Sequence, residues 1–171
     1  MYKPIEYSYQ VSKNVFAGEH PLFDIYKSSI KGNIPRLLKF GITVFLDLTQ
    51  SYEVPEYTSF LPPDVRRISF PIRNCDVPSR VESVIGLFRR LEQLMHEQPQ
   101  AKLYIHCHGG VGRTGTIVAC YYIYFEHLSF EEAFDKMKRQ YAQSPRSRIM
   151  DAPETQRQIE FIREFAEYNS I

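Results

Sequence analysis

The chain has 171 residues, of which 43% are hydrophobic, and its net charge is +1. This length suits one domain with its own core, so we expect a single catalytic domain over residues 1–171. The near-neutral charge, without a long charged run, argues against nucleic acid as a partner.

The cysteine count and the hydropathy exclude further classes. Three cysteines without Cys-x2-Cys spacing indicate neither a disulfide framework nor a zinc site. No apolar stretch is long and uniform enough to span a bilayer, and the N-terminus lacks the apolar core of a signal peptide. We therefore expect a soluble, cytoplasmic monomer with no membrane partner.

The first half of the chain predicts short strands and one helix. Residues 7–17 place aromatic and β-branched residues on either side of a Ser-Lys-Asn turn, which is typical of a β-hairpin. Residues 33–41 predict a short helix capped by Asn33. Apolar, β-branched runs at 42–48 and 65–70 predict two strands.

The second half predicts longer helices. Ser79 with Glu82 and Ser129 with Glu132 have the spacing of capping boxes, each ahead of an amphipathic stretch. Pro153 suits the first position of a last helix. Alternating strands and helices predict an α/β fold with a short mixed sheet flanked by helices.

The segment 102–116 predicts a strand, a glycine-rich loop and a helix. An apolar run precedes the loop, and four glycines lie from Gly109 to Gly115. The long apolar run that follows suits a helix buried on most of its surface. Glycines let backbone N–H groups converge, and the first turn of a helix offers free N–H donors and a favourable dipole. The loop from His108 to Arg113 is therefore a predicted site for a phosphate-sized dianion.

Three side chains of this segment predict nucleophilic chemistry. The field that holds a phosphate would also favour the thiolate form of Cys107, which can attack phosphorus. The planar fork of Arg113 can bind two oxygens at once. The hydroxyl of Thr114 can donate to the sulfur when the sulfur becomes a leaving group. Packing alone asks for none of these residues at these spacings, which disfavours a simple glycine-rich turn around a buried cysteine.

The string His106-Cys-His-Gly-Gly-Val-Gly-Arg-Thr-Gly115 resembles the signature His-Cys-x5-Arg-Ser/Thr of the protein-tyrosine and dual-specificity phosphatase superfamily. The resemblance implies the phosphatase fold, strongest over residues 42–165, and hydrolysis of phosphate esters with no metal or organic cofactor. It also implies that His106 orders the loop by hydrogen bonding. The implied substrate-binding residues are His108, Gly109, Gly110, Val111, Gly112 and Arg113.

Asp76 is the predicted general acid, because a departing alkoxide or phenoxide needs a proton. It lies on a loop after a strand, upstream of the cysteine, where the resembled family carries its acid, and it would then act as base for the attacking water. Asp47, at a strand end, and Asp64 are the alternatives. Cys75, beside Asp76, is a candidate for a protective disulfide with Cys107.

The segment Glu154-Thr-Gln-Arg-Gln158 resembles the Gln-Thr-x-x-Gln segment of the tyrosine-specific branch, in which glutamines position the hydrolytic water. Gln158 is therefore a candidate water-positioning residue, although Glu154 departs from the pattern and a plain polar helix face fits equally well. Arg146 and Arg148 are a weaker candidate for a second anion site.

Taken together, these residues predict a cysteine-dependent protein phosphatase that acts on phosphotyrosine, and on phosphoserine or phosphothreonine, through a cysteinyl phosphate. A small phosphate ester is the other substrate class we expect. The alternatives are a phosphoinositide, inositol-phosphate or RNA 5′-end phosphatase of the same superfamily, and a silent pseudophosphatase that binds phosphorylated partners. Phosphoinositide-directed members of the resembled superfamily often carry lysines in this loop. The loop here contains none, so the resemblance implies singly phosphorylated substrates.

Overall fold

A computed structural model describes residues 2–23 and 29–170. It contains a five-stranded sheet with helices packed around it. The strands are β1 (Ser8–Ser12), β2 (Val15–Gly18), β3 (Val44–Asp47), β4 (Arg66–Ser69) and β5 (Leu103–His106). The helices are α1 (Ile34–Phe40), α2 (Val81–Glu97), α3 (Gly112–Glu126), α4 (Phe130–Tyr141) and α5 (Gln156–Asn169).

The sheet has the order β1-β2-β5-β3-β4 and is mixed, as the sequence predicted. β1 and β2 form the predicted antiparallel hairpin, whereas β2, β5, β3 and β4 run parallel. Parallel strands end at one edge of the sheet, and ligands of α/β proteins commonly bind at that edge. β5 lies in the middle, so the loop that follows His106 emerges between the ends of β2 and β3.

Helix α3 is the centre of the core. Every residue from Gly112 to Ile123 is buried, which confirms the prediction that this apolar run forms a buried helix. α3 packs against the sheet on one side and against α4 and α5 on the other. Because α3 is held on all sides, the loop at its N-terminus has a rigid support. None of the helices in the described part of the chain is long and apolar enough to cross a bilayer.

The helix starts predicted at Asn33 and Ser129 are right, and those predicted at Ser79 and Pro153 are wrong. Ser129 and Glu132 form the predicted capping box of α4. The capping box at Ser79 is wrong, because extended Arg80 is the N-cap of α2 and makes no side-chain cap bond. The prediction for Pro153 is also wrong: α5 begins at Gln156, because its capping box is formed by the next Thr-x-x-Gln pair.

The N-cap of α1 corrects a smaller prediction. Asn33 occupies the N-cap position, but its side chain caps no backbone N–H. Its Oδ1 instead accepts a hydrogen bond from Arg36 Nη1 at 2.9 Å. The position was therefore predicted correctly and the capping bond was not.

Candidate active site

A cavity of about 220 Å³ lies beside Cys107, the residue that follows β5. Cys107 is 3% exposed and contributes to the wall, and the cavity also contains Arg113 from the first turn of α3. The structure thus places these two predicted residues in one pocket. The other described lining residues are Asn74, Cys75, His108, Gly109, Val111, Arg146, Met150 and Glu154.

The loop itself is packed against the end of β2. Gly110 has a φ of +73°, and a Cβ at this position would lie 2.3 Å from the carbonyl carbon of Gly18. Glycine is therefore required here for both its backbone conformation and the close approach. A hydrogen bond of 3.0 Å from the His20 N–H to the His108 carbonyl further ties the loop to the segment after β2.

Arg113 is held by acceptors from two other loops. Its Nη1 and Nη2 donate to the two carboxylate oxygens of Glu53 at 2.7 and 2.8 Å. Nη1 also donates to the Ile72 carbonyl at 2.9 Å, and Nη2 to Asn74 Oδ1 at 3.3 Å. The fork predicted to hold two oxygens of the anion holds Glu53 in this structure. These bonds engage both terminal nitrogens of the guanidinium.

Glu53 is a residue that sequence reasoning missed. Burial alone would lower the pKa of Arg113, but its hydrogen bonds to Glu53 and the nearby negative charge together outweigh burial and raise the pKa above its usual value. Burial alone would raise the pKa of Glu53, but the bonds that it accepts from Arg113 and from the Gln50 N–H, with the charge of Arg113, together outweigh burial and lower the pKa. The pair is thus ionised over the whole neutral range. Glu53 lies in a loop sixty positions from its partner, and no local motif marks it.

Thr114 lies in the first turn of α3 and is fully buried. Its Oγ1 has no hydrogen-bond partner among the described residues. A buried hydroxyl without a partner is uncommon and often marks a functional position. The predicted bond to the Cys107 sulfur is not formed in this structure. The hydroxyl is therefore free to donate to the sulfur when the sulfur becomes a leaving group.

His106 is completely buried beneath the loop. Its Nε2 is 2.7 Å from the Tyr57 hydroxyl, and its Nδ1 is 3.2 Å from the Cys107 carbonyl. Burial lowers the pKa of His106 to about 4, against the opposing effect of Asp47. The ring is therefore neutral at neutral pH and connects the loop to the core through hydrogen bonds, which is the arrangement that the family resemblance implied.

Asp47, one alternative to Asp76, has structural partners. Its Oδ2 is 2.9 Å from Arg67 Nη2, and its Oδ1 accepts a bond from the Thr49 hydroxyl at 2.6 Å. The side chain is buried and lies outside the set of residues that line the cavity of Cys107 in the described chain. These contacts favour a role in fixing the sheet edge.

Asp76 lies next to the cavity rather than in its wall. Asn74 and Cys75, which precede it, line the cavity, whereas Asp76 is half-buried with Oδ1 accepting from the Val77 N–H at 2.9 Å. Its carbonyl accepts a bond from Gln158 Nε2 at 3.2 Å. The role of Asp76 as acid stays a prediction.

Gln158 and Glu154 are placed differently from each other. Gln158 is fully buried, and its Oε1 accepts from the N–H groups of Glu154 and Thr155 at 2.9 and 3.1 Å. These bonds, with the one to Asp76, join the start of α5 to the predicted acid loop. The exposed Glu154 lines the cavity, and a Cβ on Gly112 would lie 2.2 Å from its Oε2. The water-positioning role of Gln158 stays a prediction.

Cys75 and Cys107 line the same cavity, and both are free thiols in this structure. Cys75 is exposed and has a φ of +60°, which is unusual for a residue other than glycine. The predicted disulfide between them is not formed here and stays a prediction.

Comparison with known proteins agrees with this geometry. A family model described as "PTP-SAK: Swiss Army Knife protein, DSP-PTPase phosphatase domain" matches residues 25–165. "Putative tyrosine phosphatase 067L" of Invertebrate iridescent virus 3 is 27% identical over 133 residues, covering 76% of this chain and 53% of that protein. "Phosphatidylglycerophosphate phosphatase PTPMT2" of Arabidopsis thaliana is 27% identical over 134 residues, covering 75% and 54%. The chain thus spans about half the length of these relatives.

The fold has matching solved structures. Tk-PTP in its active form superposes with a TM-score of 0.73 at 25% identity, covering 94% of this chain and 97% of Tk-PTP. PTPMT1 in complex with PI(5)P superposes with a TM-score of 0.66 at 19% identity, covering 96% and 97%. The mixed sheet, the loop after its central strand and the family match lead to one assignment: the chain belongs to the DSP-PTPase family of the protein-tyrosine phosphatase superfamily.

Proposed function

We propose that this phosphatase hydrolyses phosphotyrosine in proteins, and phosphoserine or phosphothreonine, through a cysteinyl phosphate on Cys107. The Cys107 thiolate attacks phosphorus while the loop N–H groups and Arg113 bind the non-bridging oxygens. Asp76 protonates the leaving oxygen as the P–O bond breaks. Asp76 then takes a proton from water as the water oxygen bonds to phosphorus. The S–P bond breaks, inorganic phosphate leaves, and Thr114 donates a hydrogen bond to the Cys107 thiolate that departs.

One observation carries this proposal: a single cavity combines the Cys107 thiol, the glycine-rich loop and a buried guanidinium. Electrostatic stabilisation by preorganised donors is commonly the largest contribution to catalysis at such a site. Arg113 is preorganised here, because four acceptors fix its plane before any ligand arrives. A pseudophosphatase would not need the nucleophile and the arginine together.

The anion-binding loop from His108 to Arg113 contains no lysine that could bind additional phosphates. This favours a phosphorylated protein as the substrate. A second candidate is a phosphorylated lipid. It is favoured by the similarity to a plant protein named as a phosphatidylglycerophosphate phosphatase, and by Arg146, a second arginine in the cavity wall. Arg146 is itself paired with Glu19 at 2.9 Å, so its charge is already partly balanced.

The test is phosphate release in the presence of a chelator from a panel of phosphotyrosyl, phosphoseryl and phosphothreonyl peptides, phosphatidylglycerophosphate, inositol phosphates and a 5′-phosphorylated RNA. We expect the highest kcat/KM on the phosphotyrosyl peptide and no activity for Cys107→Ser. A preference for the lipid or the RNA would replace the protein substrate. Binding of phosphate without release from any substrate would indicate the pseudophosphatase.

Asp76 has a test of its own. Nitrophenolate departs without a proton, whereas phenolate departs more slowly and benefits from an acid. We expect Asp76→Asn to slow hydrolysis of phenyl phosphate much more than that of nitrophenyl phosphate. Equal effects on the two substrates, or no effect on either, would remove Asp76 from the mechanism.

A further inference from the structure

β4 is the last strand of the sheet, and β3 is its one neighbour in the part of the chain that the structure describes. The Arg66 N–H donates to the carbonyl of Thr43, which precedes β3, at 2.9 Å. Backbone groups of successive residues in a strand point in opposite directions, so those of Arg67 and Ser69 face away from β3. They have no hydrogen-bond partner among the described residues. An edge with free N–H and C=O groups is a template for an added strand.

A groove with a volume of about 450 Å³ lies between β4 and α2. Side chains alternate between the two faces of a strand, so Arg66 and Ile68 share the face that α2 covers. Ile68 is half-buried and Leu94 of α2 is 8% exposed, which gives the groove an apolar part. The other described lining residues are Arg67, Arg90, Gln93 and Glu97.

The groove carries more positive than negative charge. Arg66 and Arg90 are exposed, and their side chains form no ion pair or hydrogen bond with any described residue. Arg67 is balanced by Asp47 at 2.9 Å, and Glu97 is the one acid among the described lining residues. This charge complements an acidic segment. It disfavours pairing with a second copy of β4, which would bring arginines against arginines.

We propose that β4 and this groove are a docking site for an acidic segment of a partner protein. The segment adds to the sheet as an extended strand, and its backbone groups form hydrogen bonds with those of Arg67 and Ser69. Every second side chain of the segment then points towards α2, where carboxylates meet Arg66 and Arg90. The described lining residues of the groove and of the Cys107 cavity do not overlap, so docking and catalysis use separate residues.

The probe is a short fluorescent peptide in which glutamate and threonine alternate, and its binding to the whole chain is measured by anisotropy. We expect saturable binding that is roughly 10-fold weaker in Arg66→Glu and in Arg90→Glu, because each reversal replaces an attraction with a repulsion. Arg89→Glu is the matched control, since it makes the same charge change at an exposed position of α2 outside the groove. It should change the affinity much less.

N-methylated peptides distinguish strand addition from attraction between charges alone. Methyl groups on one alternate set of residues remove the N–H donors that face β4, whereas methyl groups on the other set face solvent. We expect the first set to abolish binding and the second to leave most of it. Hydrolysis of nitrophenyl phosphate and the Tm should be unchanged in Arg66→Glu and Arg90→Glu, which verifies that both variants are folded.

Several results would overturn the inference. They are the absence of saturable binding to the wild-type protein, equal binding of a peptide with lysine in place of glutamate, wild-type affinity in both groove variants, and the same effect of both methylated sets. A single-stranded RNA that displaces the peptide and binds more tightly would assign the groove to nucleic acid instead. A dimer of the chain that the peptide dissociates would assign β4 to a second copy.

Discussion

Replacing Glu53 with glutamine tests how the guanidinium of Arg113 is held. The Arg113 side chain is 2% exposed and that of Glu53 is 12% exposed, so the pair lies mostly out of water. Glu53→Gln keeps the shape and one acceptor oxygen but leaves the cation without its counter-charge. We expect the folded state to lose stability and to regain it when an oxyanion binds.

The magnitude follows from burial. Removing one partner of a buried ion pair costs about 3–5 kcal/mol. The Ile72 carbonyl and Asn74 continue to accept from Arg113, so we expect a loss at or just below the lower end of that range, about 2–3 kcal/mol. For a chain of 171 residues this corresponds to a fall in Tm of roughly 5–10 °C. Phosphate at about 100 times its Kd supplies about 2.7 kcal/mol, enough to restore most of the loss.

The assay is thermal unfolding of wild type and variant, with and without saturating phosphate. Glu56→Gln is the matched control, because its carboxylate lies in the same loop, is 56% exposed and is 3.5 Å from Arg67. An exposed pair of this kind contributes about 0–1 kcal/mol, so its Tm should barely change. An unchanged Tm in Glu53→Gln, or no rise of its Tm with phosphate, would refute the reasoning.

Three other predictions concern one buried histidine, one buried threonine and two glycines. Because burial holds the pKa of His106 at about 4, below its ordinary 6.5, the neutral ring stabilises the fold fully above pH 6.5. That contribution, about 3 kcal/mol, should disappear as pH falls to 4, and urea unfolding of His106→Gln should show a flatter pH profile. Thr114→Val should be about 1 kcal/mol more stable but slower in turnover, with Thr114→Ser close to wild type in both assays. Gly86→Ala should add about 0.5–1 kcal/mol in thermal unfolding, since its Cβ meets open space within α2, whereas Gly110→Ala should destabilise the protein through its clash with backbone.

Local sequence signals predicted the parts of the site that one continuous segment builds. The strand, loop and helix around Cys107 form from neighbouring residues, so hydrophobic pattern and glycine spacing were sufficient. The hairpin and the buried α3 were predicted for the same reason. The superfamily followed from this one segment, and the family match confirms it.

Contacts between distant segments were not predictable in this way. Glu53 reaches Arg113, and Gln158 reaches the carbonyl of Asp76, only because the fold brings separate loops to one edge of the sheet. Glu53 belongs to no spaced motif, and the Thr-x-x-Gln spacing of Gln158 does not indicate its bond to the loop of Asp76. The wrong helix starts have a related cause: Ser79 and Pro153 fit a cap or a first turn, but the residues that follow set the start of each helix.

The central claim is that Cys107 carries the phosphoryl group during turnover. It is tested most directly by intact-protein mass spectrometry after rapid denaturing quench of a reaction with nitrophenyl phosphate. Our account predicts one added phosphoryl group, located on Cys107, in the wild-type protein, and none in Cys107→Ser. Turnover without any covalent adduct, or an adduct that persists in Cys107→Ser with undiminished phosphate release, would contradict it.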